Sequence, residues 1–258
     1  MGEKLTLVKV GGAVVEDEAQ LARLMDRFVA IEGHKLLVHG GGRRATKIAT
    51  MLGIDQQMVD GRRITDAATL EVVTMVYGGL INKNIVARLQ ARGVNAIGLT
   101  GADGDVIRSH KRPPRNGVDY GFVGDVDRVD GDTLARLIQS GITPVMAPLT
   151  HDGQARLLNT NADTIAAETA KALAGHYDVT LIYAFEKPGV LENADDDASV
   201  IPLITRATFN KYVEQGVISG GMMPKVENAL QAVEAGVARV IITQADAIDG
   251  QHGTIVKS

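Results

Sequence analysis

The stretch Leu5 to Gly12, LTLVKVGG, sets how the rest of the chain reads. Leu5, Leu7, Val8 and Val10 form an apolar run of strand length, and Lys9 interrupts it one step before a glycine pair. An unpaired buried ammonium is costly, so a lysine that ends a central strand calls for an anion. Gly11 and Gly12 let the backbone turn approach a ligand that a Cβ would exclude. Strand, lysine and glycine pair together predict a phosphate site; alone, they equally suit a surface lysine beside a tight turn.

Composition narrows the field. A chain of 258 residues suits one large α/β domain or two closely joined lobes. Hydrophobic residues make up 45%, aromatics only 3%, and Trp is absent, which predicts a Val, Ile, Leu and Ala core of the kind parallel sheets bury under helices. The net charge of −4 argues against a nucleic-acid binder, because phosphate backbones need a basic face. No cysteine is present, which excludes disulfides, thiolate nucleophiles and Cys-based metal sites. His34, His39, His110, His151, His176 and His252 show no metal-ligand spacing. No signal peptide is expected before the first strand, and no apolar run approaches the roughly 18 residues of a membrane helix. The expectation is a soluble cytoplasmic protein with no membrane partner.

Outward from the first turn, Asp17 predicts the cap of a helix running to about Glu32, closed by Gly33. Lys35 to His39 is a second strand that runs into Gly40-Gly41-Gly42 and then a helix, where free N–H groups and the helix dipole point at an anion. Gly40, Gly42 and Ala45 also satisfy a degenerate dinucleotide fingerprint, with Asp60 at about the right distance. Asp60-Gly61, however, signals a hairpin turn, not the end of a parallel strand. No Gly-Lys dipeptide occurs, so a Walker A loop is excluded. Arg63 leads from that turn toward the glycines, and a guanidinium forks onto carboxylates. Thr65 is a candidate cap for a long helix, interrupted at Gly78-Gly79, that ends at Gly93.

The segment from Asp103 to Val129 predicts a peripheral β-hairpin excursion, its basic run at His110 to Arg115 a solvated loop. Thr160 and Asp163 have capping-box spacing at the start of an alanine-rich helix; the alternative is that Asp163 positions two lysines. Asp195 to Asp197 lack the spacing of a calcium loop. Pro224 suits a first helical position, which puts Lys225 in the first turn, the wrong end for a cation unless an anion relieves it. Composition shifts near Tyr177, the candidate lobe boundary.

Two lysines on glycine-rich turns, an aspartate at a helix start, a triple-glycine loop and a hairpin arginine are the inventory phosphoryl transfer needs. With KVGG (Lys9 to Gly12), HGGG (His39 to Gly42), GRRIT (Gly61 to Thr65), NTNAD (Asn159 to Asp163) and GGMMPKVENA (Gly220 to Ala229), the chain resembles the amino-acid kinase family. The last three motifs resemble its branch that phosphorylates N-acetyl-L-glutamate. The resemblance implies an α/β fold, an open, mainly parallel sheet sandwiched by helices as in carbamate kinase, with peripheral β-hairpins. It implies a lobe over residues 1–176 that binds acyl-glutamate and dimerises, and a lobe over 177–258 that binds ATP. By resemblance, Lys9 and Lys225 stabilise the transferring phosphoryl group and Asp163 organises both. Gly41 and Gly42 hold the attacking carboxylate, and Arg63 and Asn159 grip the α-carboxylate end. Gly11 and Gly12 face ATP phosphates, and Val217, Ile218 and Ser219 lie near the nucleotide. Mg²⁺ accompanies ATP, held mainly by its phosphates, with no protein metal site.

Ala184 to Val190 departs from the family's usual loop, so no nucleotide contact is carried onto it. Four residues precede the first strand, where arginine-inhibited relatives carry an extra helix, so a homodimer without that feedback is expected. Some relatives accept N-succinyl-glutamate, and the acyl group is left open. The rivals are a sister kinase using another carboxylate or UMP, a nicotinamide-dependent oxidoreductase using Gly40 to Ala45, and a catalytically silent sensor.

Overall fold

β1 (Lys4–Val10) forms where the apolar run predicts it, and side-chain alternation along a strand sorts its residues onto two faces. Leu5 and Leu7, with Lys9 next in the same series, face one core; Val8 and Val10 face the other. The computed structural model describes residues 2–59 and 62–257. The hairpin turn expected at Asp60-Gly61, and Asp60 as a ribose-binding acid, lie outside the described residues.

After β1 come α1 (Gly12–Glu16), α2 (Glu18–Val29), β2 (His34–His39) and α3 (Gly42–Met51). The ribbon β3 (Met58–Val59) and β4 (Arg62–Arg63) leads to α4 (Ala67–Val73), a π-helical segment (Thr74–Ile81) and α5 (Asn82–Gln90). Then follow β5 (Ala96–Leu99), β6 (Ile107–Lys111), β7 (Gly124–Val129), α6 (Gly131–Gln139), β8 (Thr143–Met146), β9 (Leu149–His151), β10 (Leu157–Asn159) and α7 (Ala162–Leu173). The chain closes with β11 (Asp178–Phe185), β12 (Leu203–Ile204), α8 (Arg206–Glu214), α9 (Met222–Glu234), β13 (Arg239–Gln244) and β14 (Thr254–Val256).

Eight strands form one sheet in the order β12-β14-β13-β11-β1-β2-β8-β5, parallel except for the β13–β14 pair. Helices α1 to α5 cover one face through Val14, Phe28, Ala45, Val73 and Ile85; α6 to α9 cover the other through Leu134, Ile165, Phe209 and Val226. Both faces are buried, which is why the strands read as continuous apolar runs. The hairpin expected over 103–129 is real: β6 and β7 pair antiparallel and join β9 and β10 in a separate four-stranded sheet. The main sheet is continuous across the candidate boundary near residue 177, because β11, which follows it, pairs with β1 from Lys4 to Val10. No helix among the described residues is long and apolar enough to cross a membrane.

Asp17 caps α2 as expected, accepting from the Gln20 N–H, but the helix stops at Val29, not near Glu32. Three further expectations are corrected. The cap of α4 is Asp66, not Thr65: Thr65 is buried, with its N–H and carbonyl bound to Tyr120 and Phe122 in a β-bridge to Gly121. Asn161 caps α7, accepting from the Asp163 and Thr164 N–H groups, while the Thr160 hydroxyl is paired with that of Thr150. No Thr160–Asp163 capping box forms. Pro224 is the third residue of α9, because Gly221 is the cap; its missing N–H still falls among the donors a helix start leaves free. The long helix expected across Gly78-Gly79 is continuous, and a π segment lies where the glycine pair interrupts the pattern.

Candidate active site

Strand parity delivers Lys9 to the face covered by α7 and α9, at the carboxyl end of β1, where open parallel sheets bind ligands. Asp163 arrives at the second residue of α7 and Lys225 in the first turn of α9. Lys9 Nζ lies 2.5 Å from Asp163 Oδ1, an ion pair without a well-aligned hydrogen bond. Lys225 Nζ donates to Asp163 Oδ2 at 3.3 Å. Burial alone would raise the Asp163 carboxyl, but the Lys9 and Lys225 ammonium groups outweigh it and hold the group below the usual carboxylate range. Burial pulls the Lys225 ammonium down, against the attraction of Asp163 and with the repulsion of Lys9. Two ammonium groups sharing one carboxylate leave an excess of one positive charge, directed at the start of two helices.

The two glycine turns pack against each other. A Cβ on Gly12 would lie 3.3 Å from the Gly41 nitrogen, and one on Gly40 would lie 3.1 Å from the Gly12 nitrogen. At Gly41 the constraint is tighter: a Cβ would meet Ile81 Cδ1 at 2.4 Å and the Tyr77 ring at 3.0 Å. The π segment supplies both side chains, so it backs the turn that opens α3. Behind it His39, fully buried, donates from Nδ1 to the Gly40 carbonyl (2.9 Å) and accepts on Nε2 from Asn82 (3.2 Å). Burial pushes the His39 imidazole down to about 4, so the ring is neutral and this pair of contacts sets its tautomer.

Gly41 and Gly42 open onto a cleft of about 720 Å³, its solvent-open mouth included, which Arg63, Asn159, Tyr77 and Asn161 also line. Arg63 is buried, its Nη2 donating to the Gly42 carbonyl and the Thr46 hydroxyl at 2.9 Å each, and its Nη1 to Gln56. The guanidinium carries donors beyond these three. Asn159 donates to the Thr65 hydroxyl at 3.0 Å. Arg62 and Arg112 line the same cleft. Burial lowers the Arg62 guanidinium, and Arg112 nearby adds repulsion.

Lys9, Asp163 and Lys225 therefore meet, Gly12 lies against Gly41 and Gly42 while Gly11 lies against Ala184 and Phe185, and Arg63 and Asn159 share a cleft with Gly41 and Gly42. Val217, Ile218 and Ser219 form the turn before α9; the Ile218 side chain belongs to the core, so that residue offers a ligand only backbone. Sequence reasoning missed Phe185 and Tyr183. The Phe185 ring lies 3.9 Å from Lys225 Nζ and 5.0 Å from Lys9 Nζ, and Tyr183 donates its hydroxyl to the Asp163 carbonyl at 3.2 Å. Their signal is positional: Tyr183 is the register partner of Lys9, and Phe185 lies two residues on, on the same face. That register is invisible until β11 is known to neighbour β1. The strand expected to follow a dinucleotide-binding helix is instead the antiparallel ribbon β3–β4.

The family model for the amino acid kinase family matches residues 4–244. An acetylglutamate kinase from Bacteroides thetaiotaomicron is 67% identical over 257 residues, covering 100% of both chains. An N-acetylglutamate synthase from Neisseria gonorrhoeae, solved with coenzyme A and N-acetyl-glutamate, superposes with a TM-score of 0.83 at 18% identity, over 98% of this chain and 59% of that one. The carbamate kinase of Giardia superposes with a TM-score of 0.68 at 15% identity, over 100% and 99%. At those identities the two structures speak for the fold alone. The fold, the motifs in order and the full-length match together place the chain in the amino acid kinase family, in its acetylglutamate kinase branch.

Proposed function

We propose that this protein transfers the γ-phosphoryl group of ATP to the side-chain carboxylate of N-acetyl-L-glutamate, an early step of arginine synthesis. The observation that carries the reading is the convergence of Lys9 and Lys225 on Asp163 beside two interlocked glycine turns. A carboxylate oxygen of the acceptor forms the new bond to phosphorus while the bond to the ADP oxygen breaks, giving an acyl phosphate and ADP with no net proton transfer. Little covalent work is left to the protein, so positioning and charge neutralisation dominate.

In this reading Lys9 and Lys225 are the catalytic cations, and Asp163 keeps both ammonium groups charged and aimed. N–H groups at the starts of α1 and α3 receive anions: Gly12 the nucleotide phosphates, Gly41 and Gly42 the acceptor carboxylate, while Gly11, whose N–H is bound to the Ala184 carbonyl, borders the nucleotide phosphates through its missing Cβ. Arg63 and Asn159 orient the α-carboxylate end. The turn at 217–219 borders the nucleotide, which the lobe over 177–258 would bind while the lobe over 1–176 binds the acceptor. Both Asp163 oxygens face ammonium groups, which leaves Mg²⁺ to be carried by the nucleotide phosphates. We read the protein as a cytoplasmic homodimer; β5 ends the main sheet, and Ile97 on it, with Met75 and Leu80, exposes apolar surface for a second copy.

One observation favours a second reading of the acyl group. Arg112 at the cleft is paired with Asp125, but Arg62 beside it adds cationic charge beyond Arg63, and an N-succinyl group would add a third carboxylate there. Hydroxylamine trapping with ATP, Mg²⁺ and N-acetyl- or N-succinyl-glutamate tests both readings. Acyl hydroxamate and stoichiometric ADP from either acceptor support the kinase, and the kcat/KM ratio assigns the acyl group. Turnover only with carbamate, aspartate or UMP would reassign the branch, and tight NADH binding without ATP binding would overturn the kinase.

A further inference from the structure

Phe185 ends β11, where pairing with Gln244 and a bond from the Ala245 N–H to its carbonyl fix its backbone. Its ring lies parallel to that of fully buried Tyr183, with centroids 6.1 Å apart and 5° between planes. Lys225 Nζ is 3.9 Å from the ring centroid, well within cation–π range, and Lys9 Nζ is 5.0 Å away. A Cβ on Gly11 would approach the ring edge at 3.8 Å. The ring thus touches the Gly11 turn as well as the two ammonium groups.

The two ammonium groups are unequally compensated. Lys9 takes the short contact to Asp163, 2.5 Å against 3.3 Å for Lys225, so Lys225 is the less well-compensated cation. The negative face of the ring quadrupole supplies what the shared carboxylate does not, without adding a formal charge that would repel a phosphate. Burial works against the Lys225 ammonium, as its lowered proton affinity shows.

We propose that Phe185 is a positioning residue for phosphoryl transfer: its ring face holds the Lys225 ammonium beside Asp163 and Lys9 so that both cations meet the migrating group as a pair. The assignment rests on the kinase reading above. The test is site-specific replacement of Phe185 by mono-, di- and trifluorophenylalanine, which drains the ring face of negative charge at nearly constant shape. Phe185→Leu and Phe185→Tyr serve as the extremes. Log kcat/KM should fall stepwise with fluorine count; Phe185→Leu should lose about 3- to 30-fold, and Phe185→Tyr should stay near wild type.

In parallel, the ε-methylene protons of Lys225, seen by NMR of lysine-labelled protein, should carry an upfield ring-current shift that Phe185→Leu abolishes. A flat fluorination series in an active enzyme, or no ring-current shift, overturns the proposal. A wild-type protein that forms no acyl phosphate would sink the kinase reading instead, and the NMR result would still judge the contact.

Discussion

The buried His39 ring donates to the Gly40 carbonyl and accepts from Asn82, so a second ring proton would turn the Asn82 contact into two donors facing each other. Burial holds the imidazole at about 4 in the folded protein, against an ordinary 6.5. Between those values the unfolded chain binds a proton that the native one refuses, so stability must fall as pH drops from about 6.5 toward 4. Above that window the group contributes no slope. At about 1.4 kcal/mol per pKa unit, integration to pH 4.5 gives a loss of about 2 to 3 kcal/mol relative to pH 7.5. The control is His39→Asn, which keeps a donor for Gly40 and cannot titrate. Urea unfolding of both proteins at fixed concentration, across pH 7.5 to 4.5, cancels every other titrating group in the difference. Wild type should lose about 2 to 3 kcal/mol more than the variant over that range. Parallel curves would refute the buried neutral imidazole, and with it the account of what holds Gly40.

Other substitutions read the site directly. Lys9→Ala and Lys225→Ala should each lower kcat by more than tenfold, a single charge-stabilising donor at such a site being worth about 2.7–4 kcal/mol; near-wild-type turnover in either would remove that lysine from the mechanism. Gly41→Ala drives a Cβ into Ile81 and Tyr77. It should raise KM for the acyl-glutamate and cost about 1–3 kcal/mol of stability, with Ile81→Ala partly restoring both; absence of any rescue would place the damage elsewhere. Arg63→Ala should raise KM for the acceptor and leave KM for ATP unchanged. A loss confined to kcat would contradict its assignment to the acceptor.

Local chemistry was legible without coordinates where a residue's neighbours in sequence are also its neighbours in space. The apolar run ending in Lys9, the glycine turns after β1 and β2, the Asp17 cap and the peripheral hairpin are of this kind, because strand alternation, missing Cβ atoms and capping act over a few residues. Where the expectation failed, a distant contact decided: Thr65 lost its cap to Asp66 because β-bridging to Gly121 claimed it. The same holds for the site. Residues 9, 163, 185 and 225 are far apart in the chain, and nothing local dictates that β11 lies beside β1 with Tyr183 opposite Lys9. Burial of both sheet faces sets that order, and it alone brings Phe185 to the lysines and the π segment to Gly41. Sequence thus determined which groups could bind a phosphate. Tertiary structure decided which of them come together, since convergence is a property of strand order and register, and these are set by long-range packing.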